Sequence, residues 1–193
     1  IVLDGVTGSG KTETYFEAVA EALKIGKQVL VLLPEIALTQ PFLQRFEARF
    51  GVEPATWHSG MKHSQRRRVW RGVAEGRVQV VAGARSALFL PFANPGLIVV
   101  DEAHEISFKQ EDGVRYHARD VAVMRGRFEG FPVVLASATP ALESRHMVSI
   151  GRYKGLEIPS RFGAAKLPRI EAIDLTQDQP ERGTWIAPTL LKA

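Results

Sequence analysis

The segment Gly5-Val6-Thr7-Gly8-Ser9-Gly10-Lys11-Thr12 has the residue types that hold a polyphosphate. It satisfies G-x-x-x-x-G-K-[ST]. Glycines let the backbone fold around phosphate oxygens so that successive N–H groups converge on them. A helix starting directly after the loop adds its positive N-terminal end. The Lys11 ammonium is expected to reach the β- and γ-phosphates, and the Thr12 hydroxyl to ligate Mg²⁺. The motif requires a strand before it and a helix after it; IVLD (1–4) and the run from Lys11 meet both conditions. Without that context the same letters would describe an ordinary glycine-rich turn.

A second constellation is LIVVDEAH, in which an apolar run ends on Asp101, Glu102, Ala103 and His104. In open α/β sheets, ligands bind outside the carboxyl ends of the strands. Two acids there face the same edge as the phosphate loop. Asp101 is expected to partner Mg²⁺, directly or through an outer contact, and Glu102 to act as the base that orients an attacking water. Standing alone, an Asp-Glu pair would more simply cap the following helix. The five histidines (His58, His63, His104, His117, His146) have neither cysteine partners nor close ligand spacing, so they do not read as a zinc set.

These groups need a scaffold. IVLD (1–4), QVLVLLP (28–34), VQVVAG (78–83), LIVVDE (97–102) and FPVVLAS (131–137) are apolar throughout, which favours buried parallel strands over half-exposed ones. Helical patterns lie between them. After Lys11, apolar residues fall at Tyr15, Val19, Ala22 and Leu23, with Gly26 as a stop. A second pattern runs through Leu38, Phe42, Leu43, Phe46 and Phe50. A third, over 62–74, puts Val69, Trp70 and Val73 on its apolar side and leaves the arginines of KHSQRRRVWRG as a solvated face. Further helices follow Ala118 and Pro140. The alternation predicts an open α/β fold with a mostly parallel central sheet and helices on both faces, and the G-x-x-x-x-G-K-[ST] loop after its first strand marks it as a P-loop NTPase lobe. Residues 1–160 are expected to form this lobe. Residues 161–193 read as an exposed strand (Ile170–Leu175), a linker, and the first turn of a helix at IAPTLLKA.

The bulk numbers agree with a globular domain. The chain has 193 residues, 45% of them hydrophobic and 24% charged, with a net charge of +4 and no cysteine. No apolar run approaches the roughly 20 residues a membrane helix needs. The cysteine count excludes disulfides and fits a reducing, cytoplasmic setting. The mild positive charge allows a nucleic-acid partner without demanding one.

Gly5–Thr12 together with Asp101–His104 resembles the DExH-type superfamily 2 helicases. Ser137-Ala138-Thr139 matches the S-A-T segment that couples nucleotide and DNA sites there. DGVTGSGKTE, LLPEIALT (32–39), HSG (58–60), GARSALFLPF (83–92), DEAHEISFKQEDGVRYHARDVAV (101–123) and SATPALES (137–144) narrow the resemblance to the primosomal replication-restart helicases, over nearly the whole span from Asp4 to about Tyr153. Ala84 is a departure, because threonine is common at that place in the family.

The resemblance implies the first RecA-like ATPase lobe of an ATP-dependent DNA helicase. Such a motor has 3′-to-5′ polarity, remodels stalled forks and supports primosome assembly. ATP and Mg²⁺ are the implied cofactors, with zinc only in a part of the longer protein outside this sequence. Implied partners are single-stranded and forked DNA, other primosome proteins and single-strand-binding proteins, with no membrane. The chain itself is expected to be a monomer. His104, Ser137, Ala138 and Thr139 are implied as coupling residues. Pro34, Glu35, Thr39, Arg85 and Ser86 resemble the motifs that grip the DNA backbone. Phe108, Lys109, Arg115, Tyr116 and Arg119 resemble an aromatic-rich loop that engages unpaired bases by stacking and phosphates by charge. On composition alone those aromatics could equally pack on the core. Two alternatives stay open: a nucleotide-gated DNA-binding module without turnover of its own, and a P-loop kinase or GTPase. The second leaves the S-A-T and aromatic segments unexplained.

Overall fold

All five apolar runs become strands of one sheet, because each is buried on both faces. A computed structural model describes residues 1–34, 40–163, 171–180 and 182–192. The strands are β1 (Val2–Gly5), β2 (Gln28–Leu32), β3 (Ala55–Trp57), β4 (Val80–Gly83), β5 (Pro95–Val100), β8 (Val133–Ser137) and β9 (Gly155–Ile158). They form a seven-stranded sheet in the order β3-β4-β2-β5-β8-β1-β9, with parallel pairing throughout. A two-residue antiparallel ribbon pairs β6 (Lys109–Gln110) with β7 (Tyr116–His117).

The helices are α1 (Lys11–Lys24), α2 (Gln40–Phe50), α3 (His63–Ala74), α4 (Ala118–Glu129), α5 (Leu142–Ser149) and α6 (Pro188–Leu191). Strand residues alternate between two cores. Leu30, Leu32, Ile98 and Val100 pack with Phe108, Ala118 and Ala122 on one face. Val29, Val31, Val99 and Ala136 pack with Phe16, Val19 and Phe46 on the other. With apolar partners on both sides, each strand reads as a continuous apolar run.

On the second face, Phe16 sits among Phe42, Phe46 and Phe50 with ring centroids 6.1, 5.5 and 5.4 Å away. Arg45–Glu13 (3.1 Å) and Arg49–Glu17 (2.7 Å) join α2 to α1 at the rim of that cluster. In register, Asp4 lies opposite Ser137, and Leu32 lies opposite both Gly83 and Val100. The carboxyl ends of the central strands are therefore nearly flush. That edge carries the phosphate loop and the Asp101 and Ser137 segments.

The chain divides into two units, Ile1–Phe162 and Gly163–Ala193. In the second, the expected strand Ile170–Leu175 is not formed over 171–175; Ile170 lies outside the described residues. The Asp174 carboxylate instead accepts from the Thr176 backbone N–H (2.9 Å) and hydroxyl (2.6 Å), which folds the segment into a turn. Two edge strands, β3 and β9, are additional to the expected set. On α3, Val73 is buried but Trp70 is 49% exposed, so the apolar side is narrower than the spacing suggested. Among the described residues no helix is long and apolar enough to cross a membrane.

Candidate functional site

The phosphate loop leaves β1 and turns into α1 through two left-handed glycines, Gly8 (φ 79°) and Gly10 (φ 89°). A Cβ at either would meet open space, so conformation rather than crowding selects glycine there. Gly5 differs: a Cβ would stand 2.6 Å from Ser9 Oγ and 2.9 Å from Lys11 Cγ. Backbone hydrogen bonds fix the loop, from Ser9 N–H to the Val6 carbonyl (3.0 Å) and from Phe162 N–H to the Gly8 carbonyl (2.9 Å).

Lys11 is only 8% exposed, and its ammonium donates to the Gly5 carbonyl at 2.7 Å and the Val6 carbonyl at 3.5 Å. Ser9 Oγ is buried with no hydrogen-bond partner among the described residues. An orphaned hydroxyl and a buried ammonium facing only carbonyls form an incomplete polar set. Phosphate oxygens are the acceptors such a set lacks.

At the end of β5, Asp101 N–H donates to the Leu32 carbonyl (2.9 Å) and Ala103 N–H to the Ala136 carbonyl (2.9 Å), which ties this turn to both neighbouring strands. Glu102 sits at φ 47°, the only non-glycine residue at positive φ among the described residues. Such a conformation costs on the order of 1–3 kcal/mol and persists where the surroundings enforce it. Here the two ties on either side of Glu102 do so. The Asp101 carboxylate accepts from the Tyr15 hydroxyl (2.9 Å) and from the Glu102 N–H (3.0 Å). Burial pushes the Asp101 carboxyl up, and the Tyr15 and Glu102 donors hold it back. Glu102 is raised first by burial and then by the Asp101 charge, while Lys11 pulls it down.

His104 Nδ1 lies 2.8 Å from Ser137 Oγ, and Thr139 N–H donates to that same oxygen at 3.0 Å. Glu102 Oε2 is 3.6 Å from His104 Nδ1. The structure therefore brings Glu102, His104, Ser137 and Thr139 into one contact chain. Ala138 is half-buried between the last two. Thr12, Asp101 and the phosphate loop fit Mg²⁺ with a nucleotide, since Mg²⁺ is commonly held by one or two protein oxygens plus phosphates. Lys11, Thr12, Ser9 and the loop N–H groups would hold the phosphates.

The remaining predicted residues separate. Pro34 is buried at the end of β2, whereas Glu35 and Thr39 lie outside the described residues. Arg85, on the 3₁₀ turn Arg85–Phe89, donates to the carbonyls of Ser107 (3.2 Å) and Lys109 (2.6 Å), and Trp57 Nε1 donates to Ser86 Oγ (3.2 Å). Arg85, Ser86, Phe108 and Tyr116 border a cavity of about 360 Å³ together with Arg66. Lys109 pairs with Glu111 (2.7 Å), and Arg115 is exposed. Tyr116 packs edge-on against Phe89 with centroids 5.2 Å apart.

Two expectations need correction. Phe108 is 1% exposed inside the core, so its ring has no free face for a base. Arg119 is buried, with Nε 2.9 Å from Asp120, so it is not a surface phosphate contact. Sequence reading also missed Arg66. It turns in from the basic run, lies over the Trp57 ring at 5.5 Å, and donates to the His58 carbonyl at 2.9 Å. Its i+3 neighbour Val69 gave the one signal that this helix position sits near the packed side. Tyr15 was legible only as an apolar helix position; its hydroxyl contact spans 86 residues of sequence.

The model of the DEAD/DEAH box helicase family matches residues 1–148. Replication restart protein PriA of Rickettsia felis is 46% identical over 192 residues, taking in 100% of this chain and 30% of that protein. PriA of Haemophilus influenzae is 47% identical, covering 94% and 25%. PriA of Bacillus subtilis is 44% identical, covering 92% and 22%. The chain thus spans less than a third of these relatives. Among solved structures, RecG bound to a three-way DNA junction matches with a TM-score of 0.59 at 20% identity, over 86% of this chain and 21% of that one. The DUF1998 helicase MrfA bound to DNA and AMPPNP matches with a TM-score of 0.58 at 22% identity, over 81% and 24%. At those identities the structures bear on the fold alone.

Proposed function

The chain belongs to the DEAD/DEAH box helicase family, and from that premise we propose that it is the nucleotide-binding lobe of an ATP-dependent DNA helicase acting in replication restart. The observation that carries this reading is the meeting of the phosphate loop, Asp101–His104 and Ser137 at one sheet edge, with His104 and Ser137 in hydrogen-bond contact. Residues 1–160 are the motor's first lobe, and residues 161–193 are a linker. The whole motor moves 3′ to 5′, remodels stalled forks and works with primosome and single-strand-binding proteins in the cytoplasm. Zinc belongs to a part of it outside this chain.

In this lobe Lys11 and the loop N–H groups bind and orient the β- and γ-phosphates. Thr12 and Asp101 hold Mg²⁺, which offsets phosphate charge when bound. Glu102 holds the attacking water and takes its proton. His104 transmits the state of that site to Ser137 and Thr139. Arg85, Ser86, Lys109, Arg115 and Tyr116 form the single-stranded DNA side; Phe108 and Arg119 support it from within. In this superfamily an arginine from a second lobe completes the site, and one such arginine is worth about 10³–10⁵ in rate. The 193-residue chain is thus a half-site that binds nucleotide and turns it over slowly.

Fluorescent-nucleotide binding with Mg²⁺ tests the reading. Binding by the chain that disappears in Lys11→Ala supports it. Binding that ignores Lys11 overturns it.

A further inference from the structure

Tyr15 carries a hydroxyl where packing alone asks only for a ring. It is 1% exposed, lies on α1, and packs edge-on against Phe16 with centroids 5.3 Å apart. A phenylalanine would fill the same space. The hydroxyl donates to Asp101 Oδ2 at 2.9 Å, while Asp101 Oδ1 accepts from the Glu102 N–H at 3.0 Å.

We propose that Tyr15 is a positioning residue for metal binding: its hydroxyl holds Asp101 Oδ2 and fixes the rotamer in which Asp101 meets Mg²⁺. The inference rests on the reading of Thr12 and Asp101 given above. A carboxylate has about four lone-pair directions, and one donor on each oxygen leaves the others free for a cation. With a donor at each oxygen, the carboxylate cannot turn about its Cβ–Cγ bond without losing a hydrogen bond. The Glu102 N–H alone would leave the second oxygen free to swing. Donors that orient a metal ligand in this way are worth about 10–100-fold in metal affinity or activity.

The test is titration of Mn²⁺, followed by electron paramagnetic resonance, into the chain with ADP present. Tyr15→Phe keeps the ring, and its fold is checked by circular dichroism. The expected result is about tenfold weaker Mn²⁺ binding, with metal-free binding of a fluorescent ADP unchanged. In an Asp101→Asn background, Tyr15→Phe should change Mn²⁺ affinity no further, because the hydroxyl acts through Asp101. Unchanged Mn²⁺ affinity in Tyr15→Phe overturns the inference and leaves the nucleotide-site reading intact. Equal losses in both backgrounds overturn it as well, since they would mark a general packing role. A parent chain that binds ADP but shows no ADP-dependent Mn²⁺ site overturns both.

Discussion

His104 Nδ1 and Ser137 Oγ are 2.8 Å apart, although 33 residues separate them in sequence. The contact joins the end of β5 to the end of β8, which are neighbours in the sheet. Ser137 is buried and also receives the Thr139 N–H, so one oxygen holds the His104 ring and starts the turn after β8. In the proposed reading, a change at the Asp101–Glu102 turn reaches the S-A-T segment through this contact.

Ser137→Ala cuts that route. It also leaves the Thr139 N–H without its acceptor, a loss of about 1 kcal/mol. In the full helicase that carries this lobe, nucleotide binding should persist while stimulation of ATP hydrolysis by single-stranded DNA falls several-fold. Parallel nucleotide-binding and hydrolysis assays check this; full stimulation would show that coupling runs elsewhere.

Gly5→Ala tests the cradle. The added methyl would stand 2.6 Å from Ser9 Oγ and 2.9 Å from Lys11 Cγ, displacing the two side chains proposed to hold the phosphates. Overpacking of this kind costs about 1–3 kcal/mol. Nucleotide affinity should fall more than unfolding free energy does, as read by fluorescent-nucleotide titration beside a urea melt.

Phe108→Ala and Tyr116→Ala should separate cleanly. Phe108 is fully buried, so its truncation should destabilise the chain by about 3–5 kcal/mol in denaturant unfolding. Tyr116 is half-buried on an exposed ribbon, so its truncation should weaken DNA binding with a much smaller stability loss. The reverse pattern would restore Phe108 as a base-stacking residue.

The pH dependence has a defined sign. The Glu102 carboxyl is raised from its ordinary value in the folded chain, first by burial and then by the Asp101 charge. The folded state therefore holds this proton more tightly than the unfolded state, and stability falls as pH rises through that window. Glu102→Gln should raise the thermal midpoint at neutral pH. The gain should shrink as the pH falls toward the ordinary glutamate range and vanish below it, where wild type is protonated in both states. A gain that grows in acid would contradict this assignment.

Much of this was legible in the sequence because the central strands are buried on both faces. Runs such as QVLVLLP have no polar face to obscure them, and the phosphate loop is defined by spacing. The edge strands β3 and β9 were not legible, since ATW is three half-buried residues and GLEI is mostly exposed. The polar run KQEDGVR after Phe108 does not decide which way its ring faces, and the turn Ile106–Phe108 places it in the core. Trp70 misled in the other direction: its size suggested burial, but α3 leaves it outside. The Tyr15–Asp101 and His104–Ser137 contacts are tertiary and have no local signature.

Whether this lobe is a half-site is decided by steady-state Mg-ATPase of the 193-residue chain, with and without single-stranded DNA, run beside fluorescent-nucleotide binding and a Lys11→Ala control. Turnover should stay at background in every sample, with nucleotide binding present in the parent and lost in Lys11→Ala. Strong turnover that depends on Lys11 would mean that the lobe is catalytically complete, and the half-site account would be contradicted.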